Sequence, residues 1–79
     1  MLAASQIRAA RALLGLSSKD LADLSGVSWA TIKRFEDVDG IPRSRSGTLE
    51  KVQSALENAG VHFLGDPLSS PGVQLKTRH

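Results

Sequence analysis

The chain contains no cysteine among its 79 residues. That excludes a disulfide framework and any thiolate metal site, and it fits a reducing compartment, so a cytoplasmic location is expected. No apolar run approaches the roughly 20 residues that a membrane-spanning helix needs. The N-terminus lacks the basic-then-apolar layout of a secretory signal, and no membrane partner is expected. Histidine is nearly absent too. His62 and His79 stand far apart, without HExxH spacing, so no metal is expected. The phosphate-cradling GxxxxGK and dinucleotide-binding GxGxxG patterns are missing as well. Ser17, Ser18 and Asp20 offer hydroxyls and a carboxylate. No base is positioned to activate them, and helix capping explains them more simply. The expectation is therefore a protein that is not an enzyme and carries no cofactor.

The length leaves room for one folded unit. A chain this short buries only about 60% of its unfolded surface. Without disulfides or metal, such scaffolds rely on well-packed helices or on self-association, so a homodimer is expected. The formal net charge is +2, a mild excess that alone does not separate a binding surface from an ordinary solvated one. The distribution adds a little. Lys33, Arg34, Arg43, Arg45 and Lys51 fall between 28 and 51, along with Glu36, Asp37, Asp39 and Glu50.

What is present is helical patterning. Residues 5–14, SQIRAARALL, place Ile7, Ala10, Leu13 and Leu14 toward one side, and Gly15 ends that helix. Ser17 with Asp20 three residues later is a helix-start signal, and Leu21, Ala22 and Leu24 supply the next apolar face. Ser25-Gly26 stops this second helix, over 18–25. Val27 plugs the angle, and Ser28 caps a third helix over 29–37 whose inward residues are Ile32 and Phe35. Helix, short glycine-containing turn, helix is the pattern of a helix-turn-helix. Residues 38–46 form a polar loop. Ser44 or Ser46 caps a fourth helix over 47–59, with Leu49, Val52, Ala55 and Leu56 buried and Gly60 as its stop. Val61–Leu64 and Val73–Lys76 read as short strands, with Val61, Phe63, Val73 and Leu75 inward and His62 outward. They pair either as a hairpin or across a dimer.

Leu21-Ala22, Gly26-Val27-Ser28, Thr31-Ile32 and Phe35-Glu36, flanked by RAARALLGLS and TLEKVQSALENAGVHFL, resemble the phage-repressor or XRE-type helix-turn-helix regulators. The resemblance covers nearly the whole chain and is least secure over 65–79. It implies a mainly α, lambda-repressor-like bundle of four helices with a short C-terminal β segment. It divides the chain into a DNA-binding unit, 1–64, and a loop with a terminal strand, 65–79, that serves as a dimerisation tail, helix four being the competing interface.

The resemblance also assigns roles by position. Helix three is the reader, so Ser28, Trp29, Ala30, Lys33 and Arg34 should face double-stranded DNA. Ser18 should meet a phosphate, although many relatives have glutamine there. Arg43 and Arg45 sit where relatives grip the backbone. Physical chemistry refines this. The planar fork of Arg34 matches guanine O6 and N7, Lys33 suits a phosphate, and Ala30 suits a thymine methyl. Trp29 stays open between packing and base or sugar contact. The family pattern also pairs an arginine of helix one with a glutamate ending helix three, here Arg11 and Glu36. The expected function is that of a sequence-specific transcription regulator, most simply a repressor that occludes a promoter, binding an inverted repeat as a homodimer. No separate effector-sensing domain is expected. The alternative is an antitoxin-like or adaptor module whose β tail binds a protein partner by strand addition.

Overall fold

A computed structural model describes residues 2–45 and 47–76. The chain runs through α1 (Ala4–Leu14), α2 (Ser18–Ser25), α3 (Trp29–Glu36), α4 (Thr48–Asn58), β1 (Val61–Leu64) and β2 (Gly72–Leu75). It is a small, compact, mainly helical protein with four helices and one two-stranded antiparallel sheet. The Cα radius of gyration is 11.4 Å, close to the ~12 Å expected of one packed domain of this length. The hairpin is thus folded onto the bundle rather than projecting from it.

Local chemistry sets the helix ends. Gly15 adopts φ 69, which lets Leu16 N–H donate to Arg11 O and Gly15 N–H to Ala12 O. These two bonds satisfy carbonyls that the last turn would leave open. Ser17 and Asp20 bond reciprocally at the start of α2, each at 3.0 Å. Gly26, at φ 71, closes α2. Ser25 Oγ donates to Leu21 O at 2.7 Å and accepts from Val27 N–H, fixing the turn between α2 and α3. Ser28 Oγ accepts Thr31 N–H and so caps α3. The start of α4 departs from expectation. Its N-cap position is Gly47, at φ 87, and among the described residues no side chain caps the helix. Ser44 is exposed and makes no capping bond, and Ser46 lies outside the described residues. A left-handed turn, open to glycine at little steric cost, replaces a hydroxyl cap here.

The core gathers Leu2, Ile7, Ala10, Leu21, Ala22, Val27, Ile32, Phe35, Leu49, Val52, Leu56 and Val61, with Leu14, Phe63, Val73 and Leu75 packed at its margin. Three expected core residues are not in it: Ala55 is only half-buried, and two leucines are more exposed still. Leu13 is 43% exposed and Leu24 is 51% exposed. Leu13 follows buried Ala10 by three residues and Leu24 follows buried Leu21 by three, about 60° round the helix in each case. Helical period thus admits both to the inner side, and they stand at its exposed edge.

The two strands pair within one chain, Val61 opposite Leu75 and Leu64 opposite Gly72. His62 points outward and is exposed. Across the loop end of this hairpin lies Gln6, 97% buried in α1. Its Nε2 donates to Leu64 O at 3.3 Å and to Gly72 O at 3.1 Å, while its Oε1 accepts Ala3 N–H at 3.0 Å. The connecting loop is ordered by Asp66, whose Oδ1 accepts from Leu68 and Ser69 N–H. Those two donors hold its carboxyl below the usual carboxylate range. The expected terminal strand therefore belongs to the same core as the helices. Among the described residues, no helix is long and apolar enough to cross a membrane.

Candidate nucleic-acid interface

The third helix has two distinct sides. Ile32 and Phe35 are fully buried and Glu36 is 7% exposed. Trp29, Ala30, Lys33 and Arg34 are exposed. The exposed charges on the helix itself are Lys33 and Arg34, and exposed Asp37 follows at its C-terminal end, four residues after Lys33.

Arg11 fixes which side faces out. Its Nε donates to Glu36 Oε2 at 3.1 Å and its Nη2 to Oε1 at 2.9 Å, a two-pronged pair that suits the planar fork. Nη1 of the same side chain donates to Leu16 O at 3.1 Å. One turn earlier on α1, Arg8 donates through Nη1 to the backbone carbonyl of Glu36. The C-terminal end of α3 is thus clamped to α1 at both the side chain and the backbone of one residue. Local pattern does not single out Arg8. The available signal is its spacing, one turn before Arg11, together with the unfilled carbonyls that every helix C-terminus presents.

The other end of α3 is tied to α2. Trp29 is 55% exposed, yet its indole N–H donates to Ser18 Oγ at 3.1 Å. Trp29 and residues 17–19 line one shallow recess. This places Trp29 outside the core, against a neighbouring helix start. It also changes the reading of Ser18, which is half-buried and already accepts one hydrogen bond. What Ser18 retains is its own hydroxyl proton for an outside acceptor.

Arg34 is more constrained than an unpaired reading residue. Its Nη1 donates to Arg43 O at 2.9 Å, and its guanidinium carbon lies 4.9 Å from the Phe35 ring centroid. Arg34 therefore braces the loop that follows α3. The cause is that Arg43 O lies in an irregular segment with no ladder partner, so it takes a side-chain donor. The remaining N–H groups of Arg34 stay exposed, but from a guanidinium held toward the loop. Lys33 is exposed and has no ion-pair partner among the described residues. Ala30 and Ser28 are exposed, Ser28 with its hydroxyl committed to Thr31. Arg43 and Arg45 are exposed on the loop. Ser18 and Trp29 are thus joined, Arg34 and Arg43 are joined, and Arg45 hydrogen-bonds to none of the others through its side chain.

The Ser17 N–H and then the Ser17 hydroxyl bond to Asp20 hold its carboxyl below the usual aspartate range, with Lys19 assisting. A carboxylate whose affinity for protons falls on folding stabilises the fold at pH values above its unfolded pKa of about 3.9. That contribution is lost as pH falls through the lower folded value. An NMR titration of the Asp20 carboxyl carbon should give a midpoint below 3.9, and Ser17→Ala should move it back up. A midpoint unaffected by Ser17→Ala would show that the Ser17 hydroxyl takes no part and that the backbone N–H, which alanine keeps, holds the charge.

No protein-family model matches this chain, and no curated protein sequence matches it.

Proposed function

We propose that this protein is a sequence-specific DNA-binding transcription regulator on a lambda-repressor-like fold, with α3 in the major groove. The observation that carries the reading is the two-sided character of α3. Ile32, Phe35 and Glu36 are buried while Trp29, Ala30 and Lys33 are exposed on the other side. A recognition helix needs a rigid mount and an unobstructed outer face, and its N-terminal residues meet the base edges. Here the Arg11–Glu36 pair supplies the mount at one end and the Trp29–Ser18 bond supplies it at the other.

The roles divide by chemistry. Lys33 makes a sequence-independent phosphate contact. Arg43 and Arg45 add phosphate contacts from the loop, and Arg34 holds that loop against α3 while offering its remaining donors to the groove. Ser18 donates to a phosphate through its free proton. One short helix gives few base contacts, so the reading includes a homodimer on an inverted repeat with half-sites about 34 Å apart. Occlusion of a promoter is the simplest outcome of such binding.

Selection from a random double-stranded DNA pool tests this directly. The intact protein should enrich a palindromic motif. Lys33→Ala should enrich the same motif with weaker binding and a log–log salt slope lower by about one. Arg34→Ala should blur the motif. If no motif is enriched, the DNA reading falls and an adaptor or antitoxin-like module on the same fold takes its place.

A further inference from the structure

We propose that Trp29 is a methyl reader, selecting thymine by its C5 methyl group through apolar contact alone. This deepens the DNA-binding reading and rests on it. The argument begins with exposure. Trp29 is the single tryptophan of the chain and leaves 55% of its surface open, although aromatic side chains of this size are usually covered. Its one polar group is already used. The indole N–H donates to Ser18 Oγ at 3.1 Å within the same protein, and indole has no other donor and no acceptor. What Trp29 presents to a partner is therefore only a ring of carbon.

Such a surface can distinguish bases in one way. In the major groove the donor and acceptor edges of adenine, guanine and cytosine are unmatched by a ring with no free polar group, whereas the thymine C5 methyl is the single apolar feature. Ala30 follows directly, exposed and small, and extends the same apolar step. The bond to Ser18 also holds the ring in one orientation before contact, which lowers the ordering cost of binding. Charge selects DNA as the occupant rather than another apolar surface. Lys19, on the recess that Trp29 lines, and Lys33, one turn along α3, are both exposed; the nearby Asp20 carboxylate is held by Ser17 at the start of α2, and no acidic residue lies between Leu24 and Phe35.

Deoxyuridine tests this because it removes the methyl group and leaves base pairing intact. In the enriched DNA site, each thymine is replaced singly and binding is measured with the intact protein and with Trp29→Ala. One thymine per half-site should lose about fourfold in affinity on replacement, the worth of one buried methyl-sized group. That loss should disappear in Trp29→Ala, whose exposed position leaves the circular dichroism of the fold unchanged. Ser18→Ala, which frees the indole N–H, should reduce the discrimination without abolishing binding. The tryptophan fluorescence of the intact protein should become less accessible to acrylamide on the thymine site than on its deoxyuridine counterpart.

An enriched motif with no deoxyuridine-sensitive thymine overturns the methyl-reading role alone. So does a loss of equal size in Trp29→Ala. Concentration-dependent shielding of Trp29 without DNA would mean that a second copy covers the ring, and it also overturns the proposal. Failure to enrich any DNA overturns the methyl reader and the DNA reading together.

Discussion

Arg11→Ala should lower the melting temperature by about 10–20 °C. Glu36 is 7% exposed and both its carboxylate oxygens are held by Arg11. Removing the arginine leaves a covered negative charge without a counter-ion. For fully buried pairs this costs about 3–5 kcal/mol. Arg11 is 27% exposed, so water can reach part of the site and the expected cost is nearer ~2–3 kcal/mol. A domain of this size shifts by about 4–8 °C for each kcal/mol, which gives the stated range. Leu16 O loses a donor in the same variant and adds to the effect.

The double variant Arg11→Met with Glu36→Leu separates two meanings of that loss. If the damage comes from a stranded charge, replacing both partners with apolar groups should recover most of the stability. On the proposed DNA-binding reading, the double variant should nevertheless bind its site more weakly than the intact protein, because the orientation of α3 no longer has a geometric lock. Thermal melting of the two variants, read by circular dichroism, provides the check. An unchanged melting temperature in Arg11→Ala would show that the pair is a spectator.

Gln6→Ala should lower the melting temperature by about 5–15 °C, by destabilising the hairpin more than the helices. Gln6 makes three hydrogen bonds, two of them to carbonyls at the last paired position of the sheet, Leu64 and Gly72. Alanine leaves these acceptors facing a small void. An unsatisfied buried polar group costs about 1–3 kcal/mol. The local signature should appear in hydrogen exchange, with protection lost first at Val61–Leu64 and later in α2 and α3. Gln6→Glu is the sharper control. A carboxylate can accept from Ala3 N–H but cannot donate to either strand carbonyl, so it should be as damaging at neutral pH. Burial would raise that carboxyl's pKa in the folded state, so stability should return as pH falls and the group becomes neutral. Equal protection of the strands in Gln6→Ala and the intact protein would remove Gln6 from the account of the hairpin.

These two residues mark where reading along the chain succeeds and where it stops. The helix ends are written locally. Ser17 and Asp20 lie three apart, Gly15 and Gly26 stop their helices by left-handed turns, and Ser28 caps α3. Each of these devices acts within one turn, so it is visible in a window of a few residues. The inward positions Ile7, Leu21, Ile32, Phe35, Val52 and Leu56 follow from helical period for the same reason. Leu13 and Leu24 mislead because apolar character says that a residue can be buried, not that a neighbour reaches it. Gln6 is invisible to any local pattern. Its partners are 58 and 66 residues away, and a polar side chain in a helix gives no sign that its acceptors lie in a distant sheet. The candidate interface divides the same way. That Ala30 and Lys33 lie off the Ile32–Phe35 face is a matter of helical period, whereas for Trp29, three residues before Ile32, the period leaves packing and exposure open, and the structure leaves it 55% exposed. That the indole N–H is consumed by Ser18, or that Arg34 reaches back to Arg43 O, depends on how two elements meet.

Taken by itself, the order of residues determines four helices, most of their stops and starts, two short β segments, and a short list of exposed basic positions on the third helix. All of these follow from forces that act over a few residues: capping bonds, glycine's access to positive φ, and the angular spacing of apolar groups. Only the tertiary structure decides that the strands close on each other in one chain, that Gln6 ties them together at their loop end, and that Arg8 and Arg11 converge on Glu36. It also decides that Trp29 offers carbon rather than a hydrogen-bond donor. Each of those outcomes rests on contacts between residues distant along the chain, and hydrogen-bond partners are chosen by geometry that exists only once the helices and the hairpin have packed.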